Sequence, residues 1–313
     1  MPFRAPCGTV EAVTDIRSAP FDLDRYAARW ARAVNDALDR YTPSADAPPE
    51  MLHGAMRYSL FAGGKRLRPL LCVAGAEAVS GDGETVLPTA AALEMIHTFS
   101  LIHDDLPALD NDDLRRGVPT LHKATTEAMA ILAGDALHAL AFAVIATHQL
   151  GSPASVLRVV RLLADACGER GMVGGQVDDI LHEGKSADAA TLRSIHTRKT
   201  GALLTASILS GAILSSATPA QEAALAECGE QVGVAFQIVD DILDVTGDDV
   251  TLGKPAGSDA RLDKATYPKL YGLDESRRLA RLAADQAVGV LGDFGASADP
   301  LRAFAQFIVE RNA

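Results

Sequence analysis

The residues most able to do chemistry stand in the segment SLIHDDLPALDNDDLRRG, from position 100 to position 117, where five aspartates fall within ten positions. The chain carries a formal net charge of −12 at pH 7, and two carboxylates about 5 Å apart repel by roughly 3 kcal/mol at an effective dielectric near 20. A hard divalent cation with oxygen ligands, Mg²⁺ first, would offset that repulsion. A calcium loop of the EF-hand type is excluded, because Arg115 stands where that loop requires glycine.

A second acidic cluster, FQIVDDILDVTGDD, occupies positions 236–249. Asp240 and Asp244 are four residues apart, which places them on one face of a regular helix, and Asp241 lies about 100° round the axis. The neighbouring residues are apolar, and carboxylates on a buried helix are costly unless they are paired or bind metal. The two clusters therefore predict the two halves of one metal site.

Pro107 interrupts the first cluster. On a straight helix Asp104 and Asp110 would lie about 120° apart round the axis, but proline lacks the backbone N–H that a continuing helix needs. We expect a local bulge that turns Asp110 back toward Asp104, and a regular helix through both residues would contradict this. Asp112 and Asp113 are not assigned as metal ligands. An alternative role for these two carboxylates is to order the turn before Arg115 and Arg116.

Basic residues are also clustered. The segment GGKRLRP, positions 63–69, puts Lys65 and Arg68 after two glycines at a predicted helix start, and the N-terminus of a helix binds anions. The segment does not match the P-loop pattern, and no GxGxxG occurs. Arginine forks suit phosphate oxygens and lysines act as point charges, so we expect one diphosphate bridged to the aspartates by Mg²⁺ and a second, metal-free phosphate site. The further basic residues available are Arg115, Arg116, Lys199, Lys254 and Lys264.

The secondary-structure elements that must position these residues are predicted to be helices along almost the whole chain. Tyr26, Trp30, Val34 and Leu38 recur every four residues, as on the apolar face of a helix. Several later segments are apolar nearly all round, which is typical of helices inside a large bundle, and no convincing strand is found. Helices are predicted at 50–62, 66–80, 88–104, 123–148, 153–170, 188–215, 219–246, 274–291 and 299–311. We interpret residues 21–313 as a single all-α domain and residues 1–20 as a loose arm.

Composition limits the class of protein. With 48% apolar residues among 313, the chain can build a substantial core, and its acidic balance argues against general nucleic-acid binding. The four cysteines form no CxxC pair, which favours reduced thiols in a cytosolic protein. The longest apolar stretch, near residues 139–147, is too short to span a bilayer, and the N-terminus lacks the apolar region of a secretory signal. We expect a cytoplasmic protein without stable membrane insertion.

Seven sequence blocks in order carry a resemblance to a known family: GGKRLRP, EMIHTFSLIHDDLPALDNDDLRRG, ILAGDAL, GMVGGQVDD, RKTGAL, FQIVDDILD and GKPAGSD…KATYP. From about residue 25 to residue 311 the chain resembles the trans-isoprenyl diphosphate synthases, and most closely the bacterial farnesyl diphosphate synthases. The resemblance implies the isoprenoid synthase fold, which has ten or more mostly antiparallel helices around a deep central cavity, in a homodimer. It implies condensation of isopentenyl diphosphate with dimethylallyl or geranyl diphosphate, with about three Mg²⁺ ions per site and Mn²⁺ as a substitute.

The resemblance also assigns site residues, carried over motif by motif. The metal ligands would be Asp104, Asp105, Asp110, Asp240, Asp241 and Asp244, chiefly the first, third and fourth of these. The allylic diphosphate would be contacted by Arg115, Lys199 and Lys254, and Lys264 is a further substrate-binding residue. The isopentenyl diphosphate site would comprise Gly64, Lys65, Arg68, His97 and Arg116. Oxygens near the forming carbocation would belong to Thr200 and Gln237.

Product length is predicted from Phe99 and Ser100, one turn before Asp104, because helical side chains tilt toward the N-terminus. In the family an aromatic residue at this position acts as a floor, which favours the bacterial C15 type and (2E,6E)-farnesyl diphosphate as product. The same chemistry with a C10 or C20 product stays open. One departure from the family is Ala313, which stands where relatives often carry a final basic residue.

Two rivals of other classes remain. A non-catalytic subunit of a heteromeric prenyl synthase would be expected to lack aspartates of one motif, and both motifs are complete here. A cyclising terpene synthase would keep the metal-binding aspartates but would not need a second diphosphate pocket.

Overall fold

The computed structural model describes residues 21–185, 187–247 and 264–310, and this part of the chain is almost entirely helical. Its helices are α1 (Leu23–Tyr41), α2 (Glu50–Leu60), α3 (Leu67–Ser80), α4 (Leu87–Asp104), α5 (Leu121–Ala124), α6 (Glu127–His148), α7 (Pro153–Cys167), α8 (Met172–His182), α9 (Ala189–His196), α10 (Ala202–Leu214), α11 (Pro219–Thr246), α12 (Tyr267–Tyr271), α13 (Leu273–Gly289) and α14 (Asp299–Glu310). Short 3-10 turns lie at Glu84–Val86 and Ala296–Ala298, and a π-helical turn, Thr197–Gly201, joins α9 to α10. The strands β1 (Leu114–Arg115) and β2 (Val118–Pro119) pair as an antiparallel hairpin.

Helix α1 shows how the apolar spacing becomes packing. Trp30, Val34 and Leu38 are buried and Tyr26 is half-buried, so the predicted face is confirmed. The carboxylate of Asp22 caps the helix by accepting a hydrogen bond from the backbone N–H of Arg25 at 2.9 Å.

The two helices that carry the acidic clusters lie in the interior. Helix α4 packs against α3 and α6, and α11 packs against α10 and α13. Nearly every side chain of α4 from Pro88 to Ile102 is buried, as is typical of a helix that is apolar on all sides. The carboxyl end of α4 and the last third of α11 then meet at a central cavity.

Several helix boundaries differ from the sequence prediction. The predicted helix 188–215 contains the π-helical turn, so its two halves are offset by one residue. Helix α6 starts at Glu127 rather than residue 123, because the Thr126 hydroxyl caps it by accepting from the N–H of Met129 at 3.1 Å. The missed helix, α8, contains Gly174 and Gly175, and glycine lowers helix propensity.

The predicted break at Pro107 is confirmed. Helix α4 ends at Asp104, and the chain then turns so that the N–H of Asp110 donates to the carbonyl oxygen of Asp104 at 2.9 Å. The short hairpin that follows was not predicted; its turn holds Arg116 at φ 54° and Gly117 at φ 78°.

Two helical segments are long and apolar enough to cross a membrane by length and composition alone, Glu84–Asp104 and Glu127–His148. Within the fold 72% of the apolar window of the first and 39% of that of the second are buried. A core helix of a soluble protein meets the same criterion, so this is weak evidence for insertion.

Candidate active site

A central cavity of about 1780 Å³, including its open mouth, lies between α4, α8, the π-helical turn, α11 and the residues just before α12. Most predicted site residues line it. Those that do are Arg68, His97, Phe99, Ser100, Asp104, Asp110, Arg115, Lys199, Thr200, Gln237, Asp240, Asp241 and Lys264. Lys264 donates a hydrogen bond to Asp110 at this cavity, although the two residues are 154 positions apart in sequence.

The first acidic motif divides into two parts. Asp104 and Asp110 face the cavity, and burial raises the pKa of Asp104 while the nearby ammonium group of Lys199 opposes that shift. Asp105 is only 4% exposed and does not line this cavity. The predicted ligands Asp104 and Asp110 are therefore brought together, whereas Asp105 lies behind them.

Arg115 is the partner of Asp105. The Nε of Arg115 donates to Oδ1 of Asp105 at 2.8 Å, and its Nη2 donates to Oδ2 of Asp112 at 3.1 Å. Burial raises the pKa of Asp105 to about 6, against the attraction of Arg115. Asp113 pairs with Lys123 at 2.9 Å. Asp112 and Asp113 thus hold the turn that presents the two arginines.

The second acidic motif is also divided. Asp240 is exposed at the cavity wall, whereas Asp241 is 1% exposed. The two oxygens of Asp241 accept from Nε2 of Gln237 and from the N–H of Tyr267, both at 2.9 Å. Asp244 is 5% exposed and is not among the described residues that line the cavity. The structure therefore places Asp240, rather than Asp244, opposite the first motif.

Thr200 and Gln237 are joined to this motif. The Thr200 hydroxyl donates to Oε1 of Gln237 at 2.7 Å, and Gln237 in turn donates to Asp241. A chain of hydrogen bonds thus runs from the π-helical turn through α11 to the start of α12. It fixes the orientation of the Thr200 hydroxyl and the Gln237 amide, both of which belong to residues that line the cavity.

Asp179 on α8 is a site residue that the sequence interpretation did not assign. Its carboxylate accepts from Nζ of Lys199 at 2.6 Å and lies 3.6 Å from Nζ of Lys264, which also donates to Asp110 at 3.2 Å. Burial alone would raise the pKa of Asp179, but the two ammonium groups lower it below its ordinary value. The sequence feature that could have indicated a close contact here is the glycine pair before Asp179. In the structure, a Cβ on Gly175 would lie 2.3 Å from the backbone nitrogen of Lys199. Glycine there lets α8 touch the π-helical turn.

The basic residues near α3 form a second group. Gly64, at φ 114°, contacts the guanidinium of Arg116, which also donates to the carbonyl oxygen of Gly63. Arg68 and His97 line the cavity. Burial lowers the pKa of His97 well below its ordinary value, and the positive charge of Arg68 lowers it further, so the imidazole is neutral. Lys65 is exposed, with Nζ 5.9 Å from the ring centroid of Phe307.

Phe99 and Ser100 line the cavity beyond Asp104. The ring of Phe99 is 8% exposed. The Ser100 hydroxyl donates to the carbonyl oxygen of His97 at 2.9 Å, which turns it back toward its own helix. Both side chains therefore lie at the cavity, and their part in setting product length stays a prediction.

The carboxylates suit magnesium ions that are shared with a substrate. Among the described residues, no group of three His, Cys, Asp or Glu side chains is close enough to hold a metal ion by itself. Mg²⁺ is usually held by one or two carboxylates together with substrate phosphates and water. Asp104, Asp110 and Asp240, facing one cavity, fit that mode of binding. Lys254, Ala313 and residues 1–20 fall outside the described residues.

The comparisons agree with this geometry. A sequence model described as polyprenyl synthetase matches residues 49–290. The geranylgeranyl diphosphate synthase of Cyanophora paradoxa is 46% identical over 294 residues, covering 93% of this chain and 97% of the relative. A dimethylallyltranstransferase of Fischerella ambigua is 48% identical over 300 residues, covering 95% and 86%.

Solved structures show the same likeness. A structure titled FPP/GFPP synthase, from Zymomonas mobilis, is similar with a TM-score of 0.83 at 39% identity, covering 91% of this chain and 98% of that one. The geranylgeranyl pyrophosphate synthetase of Pyrococcus horikoshii gives a TM-score of 0.83 at 32% identity, covering 92% and 98%. The chain therefore has the isoprenoid synthase fold and belongs to the polyprenyl synthetase family, the trans-isoprenyl diphosphate synthases.

Proposed function

We propose that this trans-prenyltransferase requires Mg²⁺ and condenses isopentenyl diphosphate with an allylic diphosphate. The observation that carries the proposal is the meeting of Asp104, Asp110 and Asp240 in one cavity with two separate groups of cations. Lys199 and Lys264 form the first group, beside the aspartates, and the second lies around Arg68. Two anionic substrates can therefore bind side by side.

The first group binds the allylic diphosphate. Charge develops on its leaving oxygens as the carbon–oxygen bond breaks, and fixed cations aimed at those oxygens lower the barrier. Lys199, Lys264 and Arg115 supply that charge, together with Lys254. Mg²⁺, held by Asp104, Asp110 and Asp240, supplies further positive charge to the diphosphate when bound.

The second group binds isopentenyl diphosphate through Arg68, Arg116, Lys65 and His97. It holds the double bond close to the allylic carbon, which replaces a bimolecular encounter by an oriented one. The oxygens of Thr200 and Gln237 lie beside the carbon that becomes positive. The proton that leaves last goes to an oxygen of the released diphosphate.

The product is geranylgeranyl diphosphate (C20) in our proposal. Relatives named as geranylgeranyl diphosphate synthases support it, among them that of Catharanthus roseus, 47% identical over 299 residues. Farnesyl diphosphate (C15), which the sequence interpretation favoured, is the second candidate. The observation in its favour is Phe99, an aromatic ring that lines the cavity.

Purified protein incubated with Mg²⁺, isopentenyl diphosphate and each allylic diphosphate in turn tests the proposal, with products sized by chromatography after removal of the diphosphate. A C20 product from C5, C10 and C15 primers is expected, and EDTA should abolish it. A product that stops at C15 would replace the C20 assignment, and a cyclic hydrocarbon formed without isopentenyl diphosphate would overturn the function. No product from any primer would favour a non-catalytic subunit.

We also propose that the protein is a cytoplasmic homodimer. Helix α6 exposes apolar side chains, with Ile131 at 44% and Leu132 at 55%, and a second copy would cover this face. Analytical ultracentrifugation should give twice the chain mass, and Leu132→Lys should shift it toward the monomer. Monomeric wild-type protein at micromolar concentration would contradict the proposal.

A further inference from the structure

Glu94 on α4 is a buried carboxylate that lies behind the second group of cations. Its side chain is 1% exposed, and it does not line the cavity. It precedes His97 by three residues and Asp104 by ten, so the three share one side of the helix. An ionised carboxylate this deeply buried is costly unless it is paired.

Arg66 pairs with one oxygen of Glu94. Nη1 of Arg66 donates to Oε1 of Glu94 at 2.7 Å, while its Nε donates to Oδ1 of Asn35 and its Nη2 to the carbonyl oxygen of Leu60, both at 2.9 Å. Arg66 is 4% exposed, and its N–H groups point at these protein acceptors. Arg66 is therefore a structural residue, although it stands between the predicted substrate ligands Lys65 and Arg68.

The charge of Glu94 is shared with the residues that face the substrate. Nη2 of Arg116 lies 4.0 Å from Oε1 of Glu94. Burial lowers the pKa of Arg68 to about 10, and the attraction of Glu94 opposes that shift. Oε2 of Glu94 and Nε of Arg68 are among the buried side-chain atoms that have no hydrogen-bond partner in the described part of the chain. Glu94 thus pairs with Arg66, lies near Arg116 and attracts the charge of Arg68, while its second oxygen has no hydrogen-bond partner among the described residues.

We propose that Glu94 is a positioning residue for the second diphosphate, because from behind the cavity wall it holds the guanidinium groups of Arg68 and Arg116 in place. This inference rests on the proposed function. Without the negative charge, Arg66, Arg68 and Arg116 repel one another at close range. Arg68 and Arg116 would then move apart and lose the paired geometry that phosphate oxygens need.

Glu94→Gln tests the inference, because it keeps the shape of the side chain and removes its charge. The KM for isopentenyl diphosphate should rise about tenfold, while the KM for the allylic diphosphate and kcat change less than about threefold. Calorimetric titration of isopentenyl diphosphate in EDTA should show the same loss of affinity without turnover. A purely structural role would lower the thermal midpoint and the active fraction but would leave the two KM values in their original ratio.

Two further variants keep the result interpretable. Glu77→Gln is the matched control, since Glu77 is a half-buried helical carboxylate paired with Tyr26 at 2.6 Å, away from the cavity; it should leave both KM values unchanged. If Glu94→Gln does not fold, Glu94→Asp retains the charge one methylene further back and should raise the same KM about threefold. An inactive wild-type protein would refute the proposed function, whereas an active one with an unchanged KM in the Glu94 variants would refute this inference alone.

Discussion

The imidazole of His138 stacks on the ring of Phe99, with the ring centroids 4.5 Å apart and the planes inclined by 26°. Phe142 packs edge-on against the same imidazole at 5.4 Å, and Sγ of Cys167 lies 3.5 Å from its Nε2. Phe99 on α4 therefore forms a first layer at the cavity wall, and His138 on α6 forms a second layer behind it.

We expect Phe99→Ala to lengthen the major product by one C5 unit, because it removes only the first layer. Phe99→Ala combined with His138→Ala should lengthen it by at least one more unit, since the growing chain then meets neither ring. Chromatography of the dephosphorylated products measures both. Phe304→Ala, a buried aromatic on α14, is the control and should lower stability without lengthening the product. Unchanged product length in the double variant would show that these rings are not the floor.

Much of the helical framework follows from local sequence. The four-residue spacing of Trp30, Val34 and Leu38 and the missing N–H of Pro107 were enough to predict the face of α1 and the end of α4. Both signals act within a few residues of where they stand. These two signals therefore do not depend on tertiary contacts, which cannot be deduced from a single sequence.

The parts that could not be predicted depend on contacts distant in sequence. Helix α8 was missed because Gly175 lowers helix propensity, and its compensating contact with Lys199 exists only in the fold. Asp244 shares a nominal helix face with Asp240, but it lies about 6 Å further along the axis and is buried away from the cavity. Glu94 stands in an apolar run, and its partners Arg66 and Arg116 come from other segments.

Asp179→Asn should reduce kcat/KM for the allylic diphosphate about 10- to 100-fold. The variant removes the charge that holds the ammonium groups of Lys199 and Lys264 in place. Steady-state kinetics at saturating isopentenyl diphosphate measure it. Asp178→Asn is the control, because the adjacent carboxylate pairs with Arg198 and does not line the cavity. Equal losses in the two variants would mean that the effect comes from α8 in general rather than from the lysines.

Gln237→Leu should lower the free energy of unfolding by about 1–3 kcal/mol, because it removes the hydrogen bond that the Gln237 amide donates to the buried carboxylate of Asp241. It should lower kcat as well, since Thr200 loses the acceptor that orients its hydroxyl. Urea unfolding of this variant, of Thr200→Val and of the double variant gives the coupling between the two residues. We expect a coupling free energy of about 0.5–1.5 kcal/mol between Thr200 and Gln237. Strict additivity would show that the hydrogen bond between them contributes nothing.

His196 makes stability depend on pH. Its pKa is lowered to about 4, because burial lowers it more than the attraction of Asp179 raises it, and the positive charge of Lys199 adds to the lowering. The unfolded value is about 6.5, so between these pH values the folded protein binds fewer protons than the unfolded chain, and the free energy of unfolding falls as the pH is lowered through this window. At pH 5 this costs about 2 kcal/mol relative to pH 7.5. His196→Gln should reduce the loss between pH 7.5 and pH 5 by that amount in urea unfolding, while its effect at pH 7.5 reports packing alone. Other groups that titrate in this window, Asp105 among them, cancel in the comparison, so an equal loss in both proteins would contradict the assignment.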